Sequence, residues 1–301
     1  MVKYCCKFAF KGVICLNRNL FERLLGFTGL LALTSWFFYE NYTLETTEYD
    51  ISSEKLPDEF DGYRICHLSD LHNRSFGYKT KNIIRRVKKI NPDIVVMTGD
   101  MVSRQDYNFR GFYNLAKAMA KEYPTYYIIG NHELDLTDRQ LSELFSVLRG
   151  YNVQVLLNDK VSIEKKGKFI DLYGMYCGLH FYKDERGNYR YPQPFTDNDL
   201  KMLIGEKNKN RFTILLAHNP LFLDIYARWK ADVVLCGHMH GGAVRLGRMG
   251  GILAPGKRLF PKYYQGIHKK GKTQMVLSRG LGSLRLFNRP EIVVVNLLKK
   301  K

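Results

Sequence analysis

Two stretches decide the fold of this chain: RICHLSDLH (64–72) and DIVVMTGD (93–100). In each, a short apolar run of the kind found in buried β-strands stops at a carboxylate, Asp70 in the first and Asp100 in the second. Open α/β sheets bind ligands at the carboxyl ends of their strands. We therefore expect these two carboxylates to share one sheet edge and to carry the chemistry of the protein.

Three later apolar runs end in the same way. The run 125–129 leads into GNHE (130–133), the run 212–216 is followed by His218, and the run 232–236 leads into GHMH (237–240). A single Asp or His at a strand end is usually a structural residue, but five successive ends with such residues predict a metal centre. The candidate ligands at these strand ends are Asp70, His72, Asp100, Asn131, His132, His218, His238 and His240.

The types of these residues restrict the metal. Carboxylate, imidazole and amide oxygen without a thiolate favour Mn²⁺, Fe or Zn²⁺. Two carboxylates and several imidazoles are more than one tetrahedral zinc ion requires. Two divalent metal ions about 3.5–4 Å apart, bridged by one carboxylate, would use the whole set. The excess positive charge of such a pair suits an anionic phosphoester substrate.

The pattern between these motifs predicts the fold. Amphipathic helices are expected at about 79–90, 109–121, 137–149 and 221–229, and a hairpin at 161–176 turns at Lys165–Lys168. A final pair of strands is expected at about 273–279 and 291–297. Alternating strands and helices in the first half, with strand pairs in the second, predict a layered αββα sandwich of mixed sheets with the metal site at the carboxyl ends of the strands.

The composition narrows the function classes. Lys and Arg number 47 against 29 Asp and Glu, a formal net charge of +18, which favours anionic partners such as phosphate esters, nucleic acid or lipid headgroups. None of the six cysteines forms a CxxC pair, which argues against zinc-ribbon and thioredoxin-like proteins. Cys66 and Cys236 lie in strand-like runs and are expected to be buried as free thiols.

The amino terminus predicts a membrane anchor. Residues 1–23 are basic, and the uncharged stretch 24–39 ends in aromatic residues. We expect a basic amino terminus and a transmembrane anchor helix at 1–42, a linker at 43–60 that contributes an edge strand near Tyr49–Ile51, and the main domain at 61–301. The charge balance predicts a single-pass protein of the cell membrane with an extracytoplasmic catalytic domain. A cleaved signal peptide and a surface-lying helix are the alternatives.

Taken in order, the five motifs resemble those of the calcineurin-like metallophosphoesterases: D-x-H at 70–72, G-D at 99–100, G-N-H-[DE] at 130–133, H at 218 and G-H-x-H at 237–240. The resemblance covers about residues 62–298. Together with the amino-terminal segment, the run from Ser278 to Ile292 resembles the bacterial membrane-associated branch of that superfamily.

The resemblance implies roles for individual residues. One metal would be held by Asp70, His72, Asp100 and His240, and the other by Asp100, Asn131, His218 and His238. His132 resembles the histidine of the family that contacts the phosphate and assists the leaving group, which makes it the candidate catalytic residue. Glu133 is expected either to orient His132 or to lie at the surface.

One position departs from some relatives. Protein phosphatases of this superfamily have G-D-x-V-D-R after the second strand, whereas here Ser103 stands in place of the second Asp. That Asp partners the catalytic histidine in those enzymes. The substitution argues against a phosphoprotein phosphatase and leaves open which residue orients His132.

The sequence therefore predicts hydrolysis of a phosphodiester or phosphomonoester, on a substrate associated with the membrane or cell wall. The loops 180–196 and 243–262 are expected to determine the substrate specificity. Their candidate substrate-binding residues are Arg186, Arg190, Arg245 and Arg248. A metal-dependent nuclease and a non-enzymatic lipid- or polymer-binding protein are the alternatives; no aromatic and basic repeat marks a nucleic-acid track.

Overall fold

The computed structural model describes residues 18–72, 77–104, 108–188, 192–242, 253–254, 258–259, 261–282 and 287–300. It contains two compact units, Met1–Tyr39 and Glu40–Lys301. The described residues of the first unit lie in helix α1 (Arg18–Tyr42). Within the described ranges, no helix combines the length and the apolar character needed to cross a membrane.

The second unit contains the strands and the remaining helices. The strands are β1 (Glu45–Ser53), β2 (Tyr63–Leu68), β3 (Ile94–Thr98), β4 (Thr125–Ile128), β5 (Gln154–Val155), β6 (Asp159–Lys165), β7 (Lys168–Met175), β8 (Thr213–Ala217), β9 (Val233–Cys236), β10 (Leu253–Ala254), β11 (Arg258–Leu259), β12 (Gly266–Lys270), β13 (Thr273–Leu277) and β14 (Glu291–Lys299). The helices are α2 (Gly77–Ile90), α3 (Arg110–Ala120), α4 (Asp138–Gly150), α5 (Asp197–Ile204) and α6 (Leu223–Arg228).

Two six-stranded mixed sheets form the centre of this unit. The first has the order β1-β14-β2-β3-β4-β5, in which β2 to β5 are parallel and β14 is antiparallel to β2. The second has the order β12-β13-β9-β8-β7-β6, in which β13, β9, β8 and β7 are parallel and the two edge strands are antiparallel to their neighbours. An α/β fold with two mixed sheets is therefore confirmed.

Three apolar clusters define the layers. Side chains of the two sheets, such as Val96 and Leu216, pack against each other in one cluster. The opposite face of the first sheet packs against α2, α3 and α4 through residues such as Phe112. The opposite face of the second sheet packs against α5 and α6. Because each sheet is covered on both faces, central parallel strands such as β3 and β8 are buried along their whole length.

Local sequence accounts for several element boundaries. Helix α4 begins at the predicted cap, where Thr137 and Gln140 form a reciprocal capping box. Helix α2 buries Ile83, Val87 and Ile90 on one stripe. The turn of the β6–β7 hairpin lies at Lys166–Gly167, both with positive φ.

Some elements differ from the expectation. The edge strand expected near Tyr49–Ile51 extends over nine residues as β1, and it pairs in parallel with β14. Helix α5 lies in a region for which no helix was predicted; Thr196 caps it, and its stripe contains one fully buried residue, Leu200. Strand β12 was also missed, because it is a half-exposed edge strand without an apolar run.

Candidate metal centre

The predicted metal ligands lie at the carboxyl ends of strands in both sheets. Asp70 and His72 follow β2, Asp100 follows β3 and Asn131 lies just beyond β4, all in the first sheet. In the second sheet, His218 follows β8, and His238 and His240 follow β9. The sandwich brings the two edges together, so ligands distant in sequence become neighbours.

Six of the candidates form two overlapping sets with Asp100 in common. Within each set, one possible ligand atom per residue lies within 4.8 Å of every other. The first set is Asp70, His72, Asp100 and His240, and the second is Asp100, His218 and His238.

His218 shows how the site is prepared for a cation. Its Nδ1 lies 2.7 Å from the carbonyl oxygen of Thr98, which can only accept, so Nδ1 carries a proton and Nε2 is the nitrogen available to a cation. Nε2 lies 3.1 Å from Asp100 Oδ2, without hydrogen-bond geometry. A lone pair facing a carboxylate oxygen at this distance is unfavourable unless a cation or a proton lies between them.

Asn131 offers a second group of this kind. It is buried, and its Oδ1 has no hydrogen-bond partner in the part of the chain that the structure describes. An unpaired buried carbonyl oxygen is costly. A divalent cation is a suitable partner for it, since amide oxygens are ligands of hard and borderline metals.

The ligand loops have a strained backbone. Among the non-glycine residues, Asp70, His72, Asp100, His238 and His240 have φ between 51° and 74°, in the left-handed region. Each such residue costs about 1–3 kcal/mol and persists only where the surrounding structure enforces it. The strained backbone conformations therefore occur at the candidate metal ligands themselves.

Glycines allow the ligand loops to approach closely. A Cβ at Gly237 would collide with Ser69 Oγ and Asp70 Oδ2. With Gly there, the backbone N–H of His238 donates to both Asp70 oxygens, at 3.0 and 3.2 Å. The absence of a side chain at Gly237 thus lets the His238 backbone, at the end of a strand of the second sheet, bind the Asp70 carboxylate of the first sheet.

Charges in the site perturb one another strongly. Burial raises the pKa of Asp70 to about 6, although His218 opposes the change. Burial also acts to raise the pKa of Asp100, but His218 beside it holds that pKa well below its usual value. For His218, burial lowers the pKa, yet the two carboxylates outweigh burial and raise it to about 9. Without a metal, a proton on His218 is thus stabilised by the carboxylates.

Glu133 is fully buried, so the expectation of a surface position is wrong. Its carboxylate does not contact His132 in the described hydrogen bonds; it accepts from the backbone N–H groups of Asp100, Met101, Val102 and Gly130, at 2.7–3.2 Å. Glu133 therefore fixes the loop that carries Asp100. The sequence signal was its place directly after G-N-H in a buried strand end.

Arg104 is the neighbour of His132 that sequence reasoning missed. Its backbone nitrogen lies 3.3 Å from His132 Nδ1, and its guanidinium Nη2 lies 2.9 Å from His132 Nε2. A neutral imidazole has one acceptor nitrogen, so only one of these contacts is a hydrogen bond at a time. The backbone N–H of His132 donates to Asp100 Oδ1 at 2.8 Å. The sequence places Arg104 directly after Ser103, which was the available signal.

Asp135 holds the guanidinium in place. Its carboxylate pairs with Arg104 Nη1 at 2.9 Å and with Lys183 Nζ at 2.5 Å. Lys183 belongs to the loop 180–196, so this part of the predicted substrate loop reaches the neighbourhood of His132. Tyr182 of the same loop lies with its ring 5.2 Å from the ring of His238.

The predicted substrate-binding arginines are not brought together by the described structure. Arg186 is exposed, and its backbone N–H donates to Asp184 Oδ1. Its side chain forms no hydrogen bond or ion pair with the candidate ligands in the described ranges. Arg190, Arg245 and Arg248 lie outside the described residues.

Comparison with known proteins agrees with this geometry. Residues 63–242 match the family of calcineurin-like phosphoesterases. An uncharacterised metallophosphoesterase of Campylobacter jejuni is 29% identical over 296 residues, covering 94% of this chain and 72% of that protein. The phosphodiesterase YaeI of Escherichia coli is 26% identical over 277 residues, covering 89% and 95%.

A bovine relative is named as a transmembrane protein with a metallophosphoesterase domain. It is 28% identical over 257 residues, covering 82% of this chain and 55% of the relative. The family implies divalent metal ions, and the two overlapping ligand sets provide the donors for them. The chain belongs to the calcineurin-like phosphoesterase family and is a metal-dependent phosphoester hydrolase.

Proposed function

We propose that the protein hydrolyses a phosphodiester or a phosphomonoester with two divalent metal ions of Mn, Fe or Zn. One observation carries the proposal: two sets of ligand atoms share the carboxylate of Asp100. Asp100 would bridge the two ions. One ion would also be held by Asp70, His72 and His240, and the other by Asn131, His218 and His238.

The two ions, when bound, would activate a water molecule for attack on phosphorus and offset the charge of the phosphate. The protein's part is to place the ligands and to exclude water from behind them. Asp70, Asp100, Asn131, His218 and His238 are all buried, so their positions are set by packing before any ligand arrives.

We assign to His132 the transfer of a proton to the leaving oxygen. The backbone N–H of Arg104 faces Nδ1, and the tautomer that accepts this bond carries its proton on Nε2. In the present arrangement the guanidinium Nη2, which can only donate, lies 2.9 Å from Nε2, so this tautomer requires the guanidinium to move away. An anionic substrate would draw the guanidinium toward itself and leave Nε2–H free to donate to the leaving oxygen.

Arg104 would therefore orient His132 in place of the Asp that Ser103 replaces. Its side chain is held by Asp135 and is about one-third exposed, which leaves it accessible from the site. Arg186, Arg190, Arg245 and Arg248 remain proposed contacts to the remote part of the substrate. Lys183, which also pairs with Asp135, adds positive charge to the surface that an anionic substrate would cross to reach the metal centre.

We further propose that the protein associates with a membrane through α1 and that its substrate is associated with the membrane or cell wall. Ten large apolar side chains between Leu24 and Tyr42 are exposed on α1, and bare apolar surface of this extent is typical of segments that contact lipid or a partner. Membrane association through α1 is also in keeping with the membrane relative named above. If it holds, the full chain sediments with membranes, whereas residues 43–301 remain in the supernatant; equal sedimentation of both would contradict it.

The enzymatic proposal is tested by reconstituting the full chain with Mn²⁺, Fe²⁺ or Zn²⁺ and measuring hydrolysis of p-nitrophenyl phosphate and bis-p-nitrophenyl phosphate. We expect turnover that a chelator abolishes and that added metal restores. The ratio of the two rates assigns the monoester or diester preference. Metal binding without turnover on either ester would instead favour a binding protein on the same scaffold.

A further inference from the structure

The end of the second sheet opposite the metal centre contains a basic cavity of about 890 Å³, a volume typical of small-ligand sites. It lies at the amino ends of β8, β9 and β13, where Thr213, Asp232 and Thr273 are found. The strands are four or five residues long, which separates this cavity from the ligand loops by roughly 13–16 Å. The metal centre and the cavity therefore do not share residues.

Positive charge dominates the lining. Seven Lys and Arg side chains face two carboxylates, those of Asp224 and Asp232, which leaves an excess of five positive charges. Asp224 is already paired with Lys270, at 3.0 Å. Lys209, Lys230 and Lys272 are exposed and form no ion pair with the described residues.

At the buried end, two ammonium groups share one carboxylate oxygen. Asp232 Oδ2 lies 3.0 Å from Lys55 Nζ and 3.4 Å from Lys207 Nζ. The side chain of Lys207 is 5% exposed. The same oxygen also accepts the backbone N–H of Thr213, at 2.9 Å, so its capacity to stabilise both cations is limited.

This arrangement leaves a buried cation only partly compensated. Burial, together with the neighbouring Lys55, lowers the pKa of Lys207 to about 8. A buried charge without full pairing is costly, and an added anion would offset it. The exposed lysines at the rim would supply the remaining contacts.

We propose that this cavity binds a phosphate-bearing anion, either a soluble phosphate compound or the headgroup of an anionic lipid. Lysine ammonium groups are compact charges that bind phosphate without the bidentate geometry of arginine. The single arginine in the cavity lining, Arg228, is already held by both oxygens of Asp197. The ligand would therefore be recognised by lysines and by its charge.

Trp229 provides a local reporter. It is next to Lys230, and its indole N–H donates to the carbonyl oxygen of Gly205. The chain contains two tryptophans, so a Trp36→Phe chain has Trp229 as its sole indole fluorophore. We expect inorganic phosphate to change this fluorescence saturably, and the full chain to bind vesicles containing phosphatidylglycerol more strongly than vesicles of phosphatidylcholine.

The decisive variant is Lys209→Glu with Lys272→Glu, since both side chains are exposed and their replacement leaves the packing intact. The matched control is Arg85→Glu with Lys89→Glu, which reverses the same charge on exposed positions of α2. We expect the cavity variant to weaken phosphate or vesicle binding by at least about tenfold, equivalent to about 1.4 kcal/mol, and the control to leave it within about twofold. Vesicle binding by α1 is common to both variants.

The outcomes are distinct. Weakened phosphate binding assigns a soluble ligand, and weakened vesicle binding alone assigns a lipid headgroup. Equal binding by the two variants would refute the site, as would equal weakening in both, which indicates only the general charge of the protein. As a second variant, Lys207→Gln removes the buried ammonium; circular dichroism confirms its fold, and unchanged binding in a folded protein would equally refute the proposal.

Discussion

The two ends of the second sheet differ in their chemistry although the same strands connect them. At the carboxyl end, β8 and β9 lead into His218, His238 and His240, which meet the carboxylates of the first sheet. At the amino end, the same strands begin beside Asp232 and a group of lysines. The first end is buried and arranged for cations, and the second is half-open and arranged for anions.

The difference lies in how each end is held. At the metal centre, five non-glycine residues adopt left-handed backbone conformations, and Glu133 holds one loop through four backbone N–H groups. The basic cavity has one such residue in its lining, Lys230, and long flexible side chains. A metal centre must hold several ligand atoms around one ion and therefore needs a preorganised backbone. A cavity that attracts an anion by its charge can do so with flexible lysine side chains.

The largest expected effect comes from a substitution at the metal centre. Asp100→Asn removes the carboxylate common to both ligand sets and should reduce both metal content and turnover by more than about a hundredfold, since even the loss of a residue that only supports a ligand costs about 10- to 100-fold. Asp232→Asn is the matched change at the other end and should retain its metal. Elemental analysis of both purified variants, with turnover of the first, checks the expectation; normal metal content in Asp100→Asn would contradict it.

A second change separates metal binding from proton transfer. His132→Ala should lower kcat by about 10²–10⁴-fold, as expected for loss of a general acid, while metal content stays at the level of the unmodified protein. The effect should be smaller for esters with good leaving groups, which need less proton donation. Comparing kcat for p-nitrophenyl and alkyl phosphoesters measures this; an equal loss on both classes would contradict the role.

Glu133→Gln tests the preorganisation of the metal end. The amide keeps the shape but places N–H donors against backbone N–H groups, so we expect the free energy of unfolding to fall by about 1–3 kcal/mol. Thermal unfolding of the metal-free protein measures the change. Glu143→Gln, at an exposed position of α4, is the control and should shift stability little; equal shifts in the two variants would show that the loop bonds contribute nothing.

The smallest expected effect is a dependence of metal affinity on pH. In the metal-free protein the two carboxylates raise the pKa of His218 to about 9, so at pH 6–8 Nε2 also carries a proton, which metal must displace. Apparent affinity should therefore rise with pH, by about tenfold per unit where one proton is released. Calorimetry in buffers of different ionisation enthalpy counts that proton, and affinity independent of pH would contradict it.

Some expectations followed from local sequence alone. The strand ends, helix α2 and the cap of α4 are set by residues close together in the chain, so apolar periodicity and capping chemistry were sufficient to predict them. The burial of Cys66 and Cys236 followed for the same reason. Helix α5 was missed because its buried stripe is short, and β12 because an edge strand needs few apolar residues.

The sequence by itself determined which residue types follow each strand, and through them the candidate ligand set. Only the tertiary structure decided that Glu133 holds the Asp100 loop, that Arg104 faces His132, and that Lys55 and Lys207 meet at Asp232. Strand ends are marked by local apolar patterns, whereas these contacts join segments that meet only when the two sheets and their helices pack. Lys55 and Asp232 are 177 residues apart, and no local pattern records their distance in the fold.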